Sequence, residues 1–174
     1  MVVPDGVQEL TEGAAVDVAV ENARRKALAV AGGGSAPAGP GSGTVLGADT
    51  VVALGDRLLP KPTDAGQARE WLEALSGRAH TVAGGLCLVD GNSDGGNGNG
   101  STRTAHTVTR VRFRALSPAL MDWYLSSEEW RERAGGYAIQ GRGAALVDSL
   151  EGDYFNVVGL PVAALLDLAP ELLG

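Results

Sequence analysis

The 174-residue chain is 44% hydrophobic and carries 14 Lys and Arg against 21 Asp and Glu, a formal net charge of −7. That is enough apolar content for one sizeable core and a single domain. The negative charge disfavours nucleic acid polymers and anionic membranes, but not a small phosphorylated ligand, whose sign a metal ion and a few lysines can reverse.

No apolar run reaches the roughly 20 residues that span a bilayer. The opening Met1-Val2-Val3-Pro4-Asp5 has no basic segment leading into an apolar stretch, and the single cysteine, Cys87, can form neither an internal disulfide nor a cysteine metal site alone. A cytoplasmic location, with Cys87 as a small buried hydrophobe, is expected.

Taken in chain order, Val16, Val20, Ala23, Ala27 and Val30 recur at spacings of three or four and predict an amphipathic helix over Val16 to Ala31. The Gly- and Pro-rich tract from about 32 to 43 reads as a flexible connection. Thr44 to Leu54 reads as an interior strand, apolar on both faces except for Asp49, whose carboxylate is costly there unless something pairs with it. Asp64 and Gln67 have the spacing of a capping box, and Ala68, Trp71, Leu72 and Leu75 line the face of a helix that Gly77 ends.

Two β-rich stretches, Arg78 to Val89 and Thr104 to Ala115, flank a Gly/Asn/Ser segment from about 90 to 103, which predicts a hairpin with an overlong tip. Along the second, Val108, Arg110, Arg112 and Arg114 alternate with Thr109, Val111, Phe113 and Ala115, so one face meets water. Ser117-Pro118 starts a helix that reaches about Ser126 and offers Leu120, Trp123 and Tyr124 to the core. A short strand over Ala144 to Leu150 and a leucine-rich helix over Leu160 to Leu173, interrupted near Pro170, complete the chain. These elements predict an α/β domain: a twisted, mixed sheet flanked by helices.

Residue types point to chemistry at one place. Asp49 with Thr50 on a strand, followed after a turn by Lys61-Pro62, sets a carboxylate near an ammonium, an arrangement suited to a hard cation and phosphate. Asp49 alone reads equally well as a structural hydrogen-bond anchor. His80 sits between a Ser-Gly turn and an apolar run and reads as a structural hydrogen-bonding residue, and His106 reads as solvated. Trp71 and Trp123 fall at helical spacing and read as core, leaving Trp130 open.

Five blocks, in order, carry a resemblance. Leu46-Gly47-Ala48-Asp49-Thr50-Val51-Val52, Lys61-Pro62, Leu75-Ser76-Gly77-Arg78-Ala79-His80-Thr81-Val82, Ala134 to Gly141 and Gly152 to Pro161 resemble the Maf family of nucleoside triphosphate pyrophosphatases over almost the whole chain. The resemblance implies a Maf/ITPase-like fold, a homodimer, and hydrolysis of a nucleoside triphosphate between its α and β phosphates to the monophosphate and pyrophosphate, with Mg2+ or Mn2+ as cofactor. It makes Asp49 the proton acceptor and a metal carboxylate, and Glu9 the upstream acidic partner at the metal. Lys26 and Lys61 become the lysines that face the triphosphate, and Thr50 and Gln140 the positions tied to choice of base. The Ile-Gln-Gly and Val-Val-Gly-Leu-Pro forms resemble the branch that prefers dTTP and UTP, and house-cleaning of the nucleotide pool is the implied role.

Three departures stand beside it. The family's opening strand, Ser/Thr-x-Ser-Pro-Arg-Arg loop and helix are absent from this sequence, so its arginine phosphate cradle is expected upstream of Met1, and a catalytically impaired nucleotide-binding remnant is the competing reading. Ala83-Gly84-Gly85 replaces a threonine-bearing strand and is expected to loosen packing. Glu128 to Arg133 replaces the family's more usual Glu-Pro-x-Asp-Lys.

Overall fold

In a computed structural model that describes residues 6–32, 43–90 and 101–173, the strands are β1 (Val45–Leu54), β2 (Arg57–Leu58), β3 (Ala79–Val89), β4 (Thr102–Phe113) and β5 (Val147–Glu151). They form one five-stranded sheet in the order β2-β1-β3-β4-β5. Helices α1 (Ala15–Gly32), α2 (Ala65–Leu75), α3 (Pro118–Leu125), α4 (Tyr154–Val158) and α5 (Val162–Leu168) flank it. The α/β class and the helix-flanked sheet agree with expectation. The parallel pairing that a mixed sheet implies does not occur among the described residues, where every ladder is antiparallel. Neighbouring strands here run back on one another, whereas parallel neighbours need a crossover.

The hairpin is as predicted: β3 and β4 pair from Ala79↔Arg112 to Val89↔Thr102, and the Asp90 N–H donates to the Ser101 carbonyl at 3.0 Å to close it. The tip from 91 to 100 and most of the Gly/Pro tract, 33 to 42, lie outside the described residues. Arg110 and Arg112 are exposed while Thr109, Val111 and Phe113 are buried, as alternation requires. The Asp64 side chain accepts from the Gln67 N–H at 2.9 Å and caps α2. Ser117 caps α3 through the Leu120 N–H at 3.2 Å.

Three further expectations need correction. Trp123 is not core: Met121 and Tyr124, three apart on α3, turn inward, and Trp123 stays 43% exposed with the Arg142 guanidinium 5.0 Å from its ring centre. Trp130, left open by the sequence, is buried instead. The strand expected from Ala144 starts only at Val147, because Gly141–Leu146 forms a 3-10 helix.

The third correction concerns α1 and the glycines. Its buried face consists of Val18, Ala19, Asn22, Ala23 and Ala27: of the expected stripe Ala23 and Ala27 are buried, whereas Val16, Val20 and Val30 are only partly so. Helix and sheet touch backbone to backbone: a Cβ on Gly47 would lie 2.1 Å from the Ala23 carbonyl oxygen, and one on Gly85 would lie 2.3 Å from that of Ala19. Contact this close demands alanine on the helix and glycine on the strands, so Gly85 tightens the packing it was expected to loosen. Gly84, on the opposite face, makes room for the Asn156 amide. Cys87 is fully buried beside Ala23 and Ala27, and burial pushes its thiol pKa up.

The sheet thus carries α1 on one face, against Val51, Ala83, Cys87 and Val89. The main core lies on the other face, where Val52, Val82, Val111 and Phe113 meet Trp71, Leu72, Leu75 and Tyr124. Among the described residues, β2 covers only Ala53 and Leu54 of the outer edge of β1. No helix of the described residues is long and apolar enough to cross a membrane.

Candidate functional site

The open stretch of β1 borders a cleft of about 560 Å³, lined among others by Glu9, Lys26, Asp49, Thr50, Lys61 and Tyr137. Strand alternation sends Asp49 to the α1 side of the sheet and Thr50 to the other, so the cleft wraps the sheet edge. One end is charged. The opposite wall is apolar, built from Val52, Val82, Val157, Val158 and Leu160.

At the charged end, α1 supplies Asn22 and Lys26, one turn apart on one helix face. The Lys26 ammonium lies between two carboxylates, bonded to Asp49 Oδ1 and, at 2.7 Å, to Glu9 Oε1. Asn22 Nδ2 donates to the other Asp49 oxygen at 3.1 Å. This answers the cost of a carboxylate inside a strand: all its nearest polar partners come from α1, which the Gly47 and Gly85 contacts let approach.

Burial disfavours the charged form of each member, and the balance then differs among them. For Lys26 the desolvation is outweighed by its bonds to Asp49 and Glu9, which hold its pKa above the ordinary lysine value. For Asp49 burial wins over the help of Lys26 and Asn22 and lifts the carboxyl pKa. For Glu9 burial is overcome by the Lys26 bond and by the charges of Lys26 and Lys61, and the carboxyl pKa falls. Two carboxylates in one site with pKa values pushed in opposite directions suit different roles, the raised one as a proton acceptor.

Of the residues singled out from sequence, Glu9, Lys26, Asp49, Thr50 and Lys61 meet at this cleft. Lys61 does not pair with Asp49; its ammonium lies 3.5 Å from a Glu132 carboxylate oxygen at the rim. Gln140 stands apart, exposed at the start of the 3-10 helix, and is not among the residues lining the cleft. Sequence reasoning missed Asn22, Tyr137 and the rim residues Glu132 and Arg133. Only Asn22 carries a sequence signal, as a polar residue on the small-residue face of a helix. Among the described residues no three His, Cys, Asp or Glu side chains cluster as a metal site; Glu9 and Asp49 are the carboxylates that meet at Lys26, and Glu132 stands apart at the rim beside Lys61.

His80 is structural, as expected. It is 3% exposed, its Nε2 lies 2.8 Å from the Tyr137 hydroxyl, and its ring packs edge-on to Phe113 and Tyr137. Burial lowers its pKa from 6.5 to about 4. The folded protein therefore keeps the ring neutral while an unfolded chain takes up a proton first as pH falls. Its contribution is fully present above pH 6.5 and is lost as pH falls towards 4, amounting to about 3 kcal/mol. Urea unfolding at several pH values should show this slope, and His80→Leu should flatten it while lowering stability at pH 7.5 by about 1–2 kcal/mol through the orphaned Tyr137 hydroxyl. An unchanged slope in the variant would assign the acid sensitivity elsewhere.

Glu129, in the segment that departs from the expected pattern, also has a structural role. Its carboxylate accepts from the Arg142 N–H at 2.8 Å and from the Gly143 N–H at 3.3 Å, which caps the 3-10 helix.

The sequence is similar to those of known proteins. A dTTP/UTP pyrophosphatase of Pyrococcus furiosus is 45% identical over 125 residues, 72% of this chain and 62% of that protein. Proteins of the same name from Bartonella quintana and Alcanivorax borkumensis are 48% and 43% identical over 71% and 89% of this chain. The chain spans 62%, 52% and 74% of the lengths of these three relatives. The family model described as Maf-like protein matches residues 1–172. With one family pattern running through nearly every element that builds the cleft, the chain belongs to the Maf-like proteins.

Proposed function

We propose that this chain hydrolyses nucleoside triphosphates, dTTP and UTP foremost, between the α and β phosphates to the monophosphate and pyrophosphate, as a cytoplasmic house-cleaning activity. The observation that carries the reading is the division of one cleft into a charged end, with Glu9, Lys26, Asp49 and Lys61, and an apolar wall of Val52, Val82, Val157, Val158 and Leu160. A triphosphate suits the first and a flat base the second. The names of the relatives support the pyrimidine preference.

Mg2+ or Mn2+ is the proposed cofactor. The Glu9 and Asp49 carboxylates fit it, since hard cations of this size take one or two carboxylates together with phosphate oxygens and water. Bound there, such an ion neutralises charge that develops on the phosphates. Lys26 and Lys61 supply point charges to the same oxygens. Asp49, with its raised pKa, accepts the proton of the attacking water. The Val157–Val158–Gly159–Leu160 wall excludes solvent from the base.

The test is pyrophosphate release measured across the nucleoside triphosphates with Mg2+ and with Mn2+. The expected result is release that depends on the divalent ion and is fastest with dTTP and UTP. Nucleotide binding with no release in any combination would favour the impaired binder instead.

A further inference from the structure

Asn22 is 2% exposed, and its amide uses all of its hydrogen-bonding capacity on one side but a single lone pair. Oδ1 accepts from the Leu10 N–H at 2.7 Å, and Nδ2 donates to the Leu10 carbonyl at 3.1 Å and to Asp49 Oδ2 at 3.1 Å. The orientation of the amide is dictated by these partners. Turned over, it would set its NH2 against the Leu10 N–H and its oxygen against a carbonyl and a carboxylate.

The three bonds join three segments that are remote in sequence: α1, β1 and the extended stretch before α1. Leu10 follows Glu9 directly, so the clamp on the Leu10 backbone sets where the Glu9 carboxylate can reach. The third bond occupies Asp49 Oδ2 and leaves Oδ1 to Lys26. Both acidic groups of the site thus take their positions from one buried side chain that does not itself carry charge. We infer that Asn22 is a positioning residue, holding Glu9 and Asp49 in register for a divalent cation and the triphosphate.

This rests on the proposed pyrophosphatase reading but is tested separately from it. The variants are Asn22→Leu, which keeps the volume and removes all three bonds, and the milder Asn22→Ser, which cannot span Leu10 and Asp49 together. Each is compared with the wild type for melting temperature, for kcat and KM with dTTP, and for Mn2+ affinity by electron paramagnetic resonance in the presence of thymidine 5′-(α,β-imido)triphosphate.

Partners that orient metal-binding groups typically contribute 10- to 100-fold in metal affinity or activity. The expected result is at least about a tenfold loss in kcat per folded molecule, a KM within about threefold of wild type, and Mn2+ affinity weakened about tenfold. A purely structural role would lower the melting temperature and leave kcat per folded molecule and Mn2+ affinity unchanged, and that outcome overturns the inference. A wild type that releases no pyrophosphate, alongside variants that still weaken Mn2+ binding, would refute the activity and uphold the role of Asn22.

Discussion

Asp49→Asn is expected to reduce pyrophosphate release by about a hundredfold or more while leaving the far-ultraviolet circular dichroism unchanged. The substitution keeps nearly the same volume on β1, and its single amide oxygen still accepts from Lys26, while its NH2 takes the place of the oxygen that accepted from Asn22. Lys26 also retains Glu9, 2.7 Å away, so no buried charge is left alone. What disappears is one negative charge at the proposed cation site and, of the Glu9–Asp49 pair, the carboxylate with the raised pKa. Glu9, held below the usual carboxylate range, is the weaker base and does not take over. Release at a comparable rate and equal folded fraction would remove Asp49 from the mechanism and leave it the structural anchor that a strand aspartate can equally be.

Gly85→Ala is expected to lower stability strongly. Its added methyl would lie 2.3 Å from the backbone carbon and oxygen of Ala19, and neither can rotate out of the way as a side-chain tip could. Either α1 lifts from the sheet or β3 bends, and overpacking of this kind costs about 3 kcal/mol or more when backbone must move. For a domain of this size that corresponds to roughly 10 °C in melting temperature. Lifting α1 also carries Asn22 and Lys26 away from Asp49, so activity should fall together with stability. Gly32→Ala, at the end of the same helix where none of the described residues lies within 4 Å, is the control and should be neutral or slightly stabilising. A Gly85→Ala protein that melts within about 2 °C of wild type would show that the close approach of α1 is not needed.

Much of this molecule was legible from local rules. The Asp64 and Ser117 caps, the α2 face through Trp71, Leu72 and Leu75, and the β3–β4 hairpin depend on neighbours within a few residues or on alternation, both of which sequence displays directly. Asp49 stood out because a carboxylate in an apolar strand needs a partner. The resemblance then brought in Glu9 and Lys26, which local pattern alone does not mark.

Residue order by itself therefore determined α2, α3 and the hairpin and marked Asp49 and Lys61, while Glu9 and Lys26 entered through the family resemblance. The tertiary structure decided which ammonium meets Asp49: it is Lys26 from α1, not Lys61, whose nearest acidic oxygen is that of Glu132. It also decided the exact rotation of α1, because backbone contact with Gly47 and Gly85 brings Ala19 and Ala23 against the sheet, with Val18 and Asn22 beside them and Val16, Val20 and Val30 towards the margin. That choice rotates Asn22 into the site. Hydrophobic periodicity measures how much apolar area a face offers, whereas the facing glycines determine how near a backbone can come, and the two are encoded in different parts of the chain.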